Sequence, residues 1–298
     1  MRYMKKHYNK LVGACCGIMT GACWGISSVF SQYLFTNTAM TSGWFVAVRM
    51  MISGLVILIV TLLCKREELL QLLRNKKDFL RCVVTGVFGT MLFQFACYGT
   101  VERSNAATAI VLQYLCPAMV MVYTCIHKRK LPKWFEALAL LMAITGVFLI
   151  ATHGNIHELV ITGDALMWGI GCAFFMSVGT IIPERLYESY STQTITAVAL
   201  FSGGIVAGLV VNPLKNPPVM DTKALVFFAL AVFCGSIVAY VVYAIAIKQI
   251  GSVNASLFAC AEIPITTVLS VLMLHNHFTV TDLIGFLLIA STIFILSK

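Results

Sequence analysis

The sequence predicts an all-α integral membrane protein with ten transmembrane helices arranged as two inverted five-helix repeats, residues 1–152 and 153–298. Three observations lead there. Hydrophobic residues make up 59% of the chain, charged residues 11%, and the mean hydropathy is +0.90, whereas a soluble domain carries roughly 25% charge. Apolar runs near the roughly 20 residues that a bilayer requires recur along the chain. Finally, the stretch ERSNAATAIVLQYLCP (102–117) has a relative in QIGSVNASLFACAEIP (249–264). Aligning Pro117 with Pro264 sets Ala106, Ala107, Thr108 and Ala109 on Val253, Asn254, Ala255 and Ser256, small residues where two backbones can approach closely.

The first span follows a basic start (Arg2, Lys5, Lys6, Lys10) and runs to about Phe35 without a small-x-small cleavage site, so it reads as an uncleaved helix. Gly13, Gly17, Gly21 and Gly25 recur every fourth residue and draw a stripe without side chains along one face, the pattern of close helix packing. A short uncharged link precedes the second span, 43–64, which contains Arg49. The segment 65–81 reads as a basic loop. A third span, 79–101, holds Gln94 and Tyr98, and a fourth, 105–126, holds Gln113, Tyr114 and Pro117. The fifth, 134–152, closes the first half.

After the polar link 153–162, the second half gives spans near 163–182, 194–211, 223–247, 253–274 and 281–296. Phe88-Gly89-Thr90 answers Cys234-Gly235-Ser236 one step before the aligned prolines. Seventeen Lys and Arg fall in the two termini, the last at Lys298, and in alternate loops, against Arg103, Lys215 and Lys223 on the other side. That bias places both termini in the cytoplasm, with Gln71 and Lys130 inside and Thr38 and Asn155 outside. Five spans is an odd number, so the second half enters from the opposite side, the inverted repeat that permits alternating access. A proline-interrupted span at matching positions of two such halves points to a midplane binding site for a transported small molecule.

Several function classes are excluded. The excess of 21 basic over 12 acidic residues flanks apolar runs and reads as a topology signal, not as a nucleic-acid surface. Most of the eleven cysteines lie in apolar runs and no CxxC occurs, so no metal site or redox pair is indicated. His157-Glu158 begins an HExxH-like string, but Ile161 stands where the second histidine belongs. No Walker loop and no cluster of catalytic groups is present, so neither an enzyme nor a cofactor is implied.

Trp24-Gly25 in the first helix, Arg49 in the second, LQYLCP (112–117) in the fourth and Glu262-Ile263-Pro264 in the ninth, set in two five-span repeats, carry a resemblance to a known family. On these residues nearly the whole chain resembles the drug/metabolite transporter superfamily, and within it the EamA-type permeases. It departs from that pattern where a Gly-Glu pair often follows the fourth and ninth helices, here His127-Lys128 and His275-Asn276. The resemblance implies efflux across the cell membrane of amino acids, related metabolites or cationic drugs. A non-transporting receptor or helper of lipid metabolism is the other reading.

Two ionisable side chains fall deep in predicted spans, Arg49 and Glu262. A charge at the bilayer centre costs at least about 2.5–3.5 kcal/mol, so each requires compensation. In one reading both face an aqueous cavity, Glu262 as proton carrier or cation partner and Arg49 as anion partner. In the other they form a buried pair, or Arg49 snorkels to a surface. Gln94, Tyr98, Gln113, Tyr114, Tyr240 and Tyr243 supply hydrogen bonds and aromatic faces for a pocket, or pack as ordinary core. Trp24, beside the glycine stripe, either lines that cavity or packs. The expected partners are a small-molecule solute, the lipid bilayer and protons as coupling ion.

Overall fold

A computed structural model describes residues 2–127, 129, 131–153 and 160–296, which contain helices and connecting turns but no strand. Lys128, Lys130, Asn155, His157, Glu158 and Lys298, on which expectations were placed above, lie outside the described residues. Helix α1 spans Arg2–Asn37, α2 Ser42–Cys64, α3 Arg66–Arg74 and α4 Lys76–Val84. The last continues through a π-helical segment, Thr85–Met91, into α5, Leu92–Arg103. Then come α6 (Ala106–Gln113), α7 (Cys116–His127), α8 (Trp134–Thr152) and α9 (Gly163–Ile181). After a 3-10 turn at Glu184–Glu188 follow α10 (Thr192–Val211) and α11 (Thr222–Val232), a second π-helical segment (Phe233–Val238), α12 (Ala239–Ala259), α13 (Glu262–Leu274) and α14 (Val280–Leu296).

Among the described residues, eight helices are long and apolar enough to cross a membrane, and two shorter apolar helices, Glu262–Leu274 and Val280–Thr292, complete the bundle. The segment 65–81, expected as a loop, is helical instead. Leu69 and Leu72 lie on one face of α3 and are buried in a cluster with Leu186, Tyr190 and Ile195. Asn75 then starts α4 by accepting a hydrogen bond from the Asp78 amide. The basic residues that suggested a loop occupy the opposite, solvated faces of an amphipathic pair.

The irregularities fall where the two halves align. Gly89 sits in the first π-helical segment and Gly235 in the second. Both prolines follow a helix break, at Tyr114-Leu115 before Pro117 and at Cys260-Ala261 before Pro264. Proline has no N–H to return to the carbonyl four residues earlier, so the chain tightens ahead of it. The Leu115 amide bonds the Leu112 carbonyl at 3.1 Å, and the Ile263 amide bonds the Cys260 carbonyl at 3.1 Å.

The starts of the two aligned stretches, 102–117 and 249–264, differ in form. In the first, Asn105 caps α6 by accepting from the Thr108 amide at 2.8 Å. In the second, helical backbone runs through Ala239–Ala259, but its neighbours on α1 reverse. Trp24 meets Tyr240 and Tyr243, and Gly13 meets Gln249 and Ile250. Gly17 then meets Ala255 and Phe258, and Gly21 meets Ala259. The chain therefore doubles back near Ile250. Helix α1 stands at the centre of the bundle, against α11, α12, α13, α5 and α6, while the pairs α2–α10, α5–α9 and α8–α14 surround it.

Candidate functional site

The glycine stripe builds the site. A Cβ on Gly21 would lie 2.3 Å from the Ala259 carbonyl oxygen and 2.8 Å from the Glu262 amide nitrogen, and one on Gly25 would lie 2.7 Å from Thr266 Oγ1. Only the absence of side chains lets α1 settle against the break that precedes α13. Close packing, the first reading of the stripe, is what the structure shows.

Glu262 stands in the first turn of α13, 3% exposed, where the helix N-terminus favours negative charge. Its Oε2 accepts from the Tyr114 hydroxyl at 3.2 Å and from Gln113 Nε2 at 3.4 Å. Gln113 Oε1 in turn accepts from the Cys97 thiol at 3.8 Å. Gln113 and Tyr114 belong to the break before Pro117, so the interruption in one half meets the interruption in the other. The neighbouring groups that act on the charge of Glu262 are Tyr114, through the hydrogen bond, and Arg49, through space.

Arg49 is also buried, at 5% exposure. Its Nε donates to Ser236 Oγ at 2.7 Å, Nη2 to the Gly235 carbonyl at 3.0 Å and Nη1 to Ser27 Oγ at 3.3 Å. The guanidinium lies 4.9 Å from the ring centre of Tyr98 and 5.7 Å from that of Phe45, a cation–π cradle. Gly235 is required here, because a Cβ would stand 2.2 Å from Ser27 Oγ. Neither the ion pair with Glu262 nor snorkelling is realised. Arg49 instead fastens α1 and α2 to the second π-helical segment.

Trp24 packs against Tyr243 at 5.4 Å and Tyr240 at 6.3 Å between ring centres. The expected residues thus gather as Gln113, Tyr114 and Glu262, as Trp24, Tyr240 and Tyr243, and as Arg49 with Tyr98. Gln94 is buried in α5, and its Oε1 has no hydrogen-bond partner among the described residues. An apolar recess of about 490 Å³ lies elsewhere, lined by Met91, Phe95, Met167, Trp168 and Phe175 among others. It carries no ionisable side chain and is not the site.

Sequence reasoning missed Gln32, Ser27, Ser236, Thr266, Ser270 and Asn276. Gln32 Nε2 donates to Asn276 Oδ1 and Asn276 Nδ2 donates back to Gln32 Oε1, each at 3.2 Å, while Gln32 Oε1 also accepts from the Ala106 amide at 2.8 Å. This knot ties α1, the start of α6 and the turn after α13. The available signals were a glutamine inside the first span and hydroxyls four residues apart after Glu262.

At the opposite end of the bundle, Glu68 of α3 accepts from the Ser191 amide at 2.5 Å, and the Tyr190 hydroxyl donates to Asp78 at 3.1 Å. Partial burial raises the Glu68 pKa, but hydrogen bonds from Ser191 and Thr194 outweigh it and leave the carboxyl below its ordinary range.

A bundle of membrane-length apolar helices, with a buried carboxylate held between two broken ones, defines a multi-pass membrane protein. The family model of the EamA-like transporter family matches residues 11–152 and 164–298, and the chain belongs to that family. It is 31% identical over 281 residues to the uncharacterized inner membrane transporter YicL of Salmonella typhimurium, covering 94% of this chain and 93% of that one. It is 25% identical over 218 residues to the uncharacterized transporter YrdR of Bacillus subtilis, covering 68% of each. A solved crystal structure shares the fold at a TM-score of 0.64, with 16% identity and 95% of each chain covered.

Proposed function

We propose that the protein is a secondary transporter of the cell membrane that exports small amine-bearing metabolites, such as amino acids, by alternating access coupled to protons. Its halves, residues 1–152 and 153–298, act as inverted five-helix repeats with both termini in the cytoplasm. The observation that carries this reading is Glu262, buried at the break of one half and held by Tyr114 and Gln113 from the break of the other. Paired irregularities at Gly89 and Gly235, and before Pro117 and Pro264, support two related halves. A carboxylate at such a junction changes its surroundings whenever the halves rock, which is what coupling a solute to a proton requires.

A cationic drug or quaternary ammonium as solute is the second reading, favoured by the cluster of Trp24, Tyr240 and Tyr243. Counterflow in proteoliposomes with radiolabelled amino acids and organic cations separates the two. Accumulation of amino acids but not of permanently charged cations supports the first reading, and the converse supports the second. Binding without accumulation of either would make the protein a receptor. The orientation is tested by single cysteines at Thr38 and Gln71 in a background without reactive native cysteines. Labelling of Thr38 but not Gln71 from outside intact cells is expected, and labelling of Gln71 would overturn it.

A further inference from the structure

Helix α13 carries a row of polar side chains at helical spacing, Glu262, Thr266 and Ser270, each four residues after the last and therefore on one face. Thr266 and Ser270 are wholly buried, and neither hydroxyl has a hydrogen-bond partner among the described residues. That is unusual within this molecule. Buried hydroxyls in helices here commonly bond the carbonyl four residues earlier, as Thr61 does to Ile57 at 2.7 Å, Ser53 to Arg49 at 2.7 Å and Thr100 to Ala96 at 2.8 Å. Thr266 Oγ1 is turned instead toward α1 at Gly25. A buried hydroxyl without a partner forfeits the hydrogen bonds it would make to water, so the two destabilise the closed seam between α1 and α13. The penalty vanishes once water enters.

The row leads from Glu262 to the end of α13, where the Ser270 carbonyl accepts from the Asn276 amide at 3.1 Å and Asn276 pairs with Gln32. The amide knot closes that end of the seam. Resting on the proton-coupled reading above, we infer that the α1–α13 seam is the proton path, that Thr266 and Ser270 line it, and that Gln32 and Asn276 are its latch. When the latch parts, water bridges the hydroxyls, each of which both donates and accepts. A proton entering at Asn276 is passed along that chain to the Glu262 carboxylate, which becomes the neutral acid. The reverse transfer returns it. The charged and titratable groups that interact electrostatically with Glu262 are Arg49 on α2, Tyr114 between α6 and α7, Cys172 on α9 and Cys260 before α13, and of these Tyr114 touches it. None of them lies on the row.

The test compares Thr266→Val with Ser270→Ala, Thr266→Ser and Glu262→Gln in vesicles, measuring both solute counterflow and solute movement driven by an imposed pH gradient. The Thr266→Val, Ser270→Ala double variant is expected to keep counterflow and to lose gradient-driven transport roughly tenfold or more. Its thermal midpoint should rise, because two unsatisfied hydroxyls are gone, and Thr266→Ser should transport as the parent does. Full gradient-driven transport by the double variant, with Glu262→Gln defective, would overturn the path and leave the proton role of Glu262 standing. If Glu262→Gln is itself fully gradient-driven, the coupling reading fails with it. A lowered midpoint together with lost counterflow would make the hydroxyls structural and would equally overturn the path.

Discussion

The Tyr114 hydroxyl donates to Glu262 across the interface between the halves, at 3.2 Å, from one helix break to the other. Hydrogen bonds to a charged group contribute about 1.5–3 kcal/mol, and Gln113 alone would be left to hold the carboxylate. Tyr114→Phe keeps the ring and removes the donor. It is expected to lower the thermal midpoint by several degrees and to weaken solute binding, as read by ligand-induced stabilisation of the purified protein. An unchanged midpoint with unchanged binding would remove Tyr114 from the site.

Gly21 is the tightest point of the α1 stripe, where a Cβ would reach the Ala259 carbonyl at 2.3 Å. Neither backbone can yield without moving a helix, so Gly21→Ala should destabilise by about 1–3 kcal/mol, the usual consequence of overpacking. Gly171 in α9 has nothing within 4 Å of its would-be Cβ. Gly171→Ala should be neutral or stabilise by up to about 1 kcal/mol. Thermal unfolding in detergent of the two variants side by side checks the contrast, and equal midpoints would contradict the packing of α1.

Arg49 spends its three donor groups on Ser236, Gly235 and Ser27. Lysine offers one ammonium without the planar fork, so Arg49→Lys should lower the midpoint about as much as losing one or two charge-assisted bonds, roughly 2–4 kcal/mol. Solute affinity in the folded fraction should stay near that of the parent. The opposite pattern, an unchanged midpoint with lost affinity, would restore Arg49 as a solute partner.

Glu68 has a carboxyl pKa below its ordinary value of 4.5. A depressed acid contributes stability that is full above its unfolded value and is lost as pH falls through the folded one. The parent should therefore exceed Glu68→Gln in thermal midpoint at pH 7, and the difference should shrink once the pH drops below 4.5. Solvent screens this half-exposed group, so the difference is small, about 2 °C. A gap that widens in acid would contradict the docking of α3 on Ser191.

Much of the fold was legible because a bilayer imposes length and apolarity on every span. The stretches ending at Thr152, Ile181 and Val211 were readable from hydropathy alone, and the break before each proline from the missing N–H. The helical character of 65–81 was hidden, since its charges resemble those of a loop until Leu69 and Leu72 are seen to share a face. In the site, Glu262 and Arg49 announced themselves as charges at membrane depth. Their separate roles did not, because Arg49 finds its partners on a helix nearly two hundred residues away, at Gly235 and Ser236. Thr266 and Ser270 are ordinary residues of a span, and only the absence of their hydrogen bonds sets them apart.

The central claim is that Glu262 couples solute movement to protons. Glu262→Gln keeps the shape of the side chain and its bonding to Tyr114 and Gln113 but cannot ionise. Purified variant and parent, reconstituted in vesicles, are compared for solute-for-solute exchange and for accumulation driven by a pH gradient. The expected result is retained exchange with accumulation abolished in Glu262→Gln. Accumulation at the parental rate would contradict the claim and leave Glu262 a structural tie between the two broken helices.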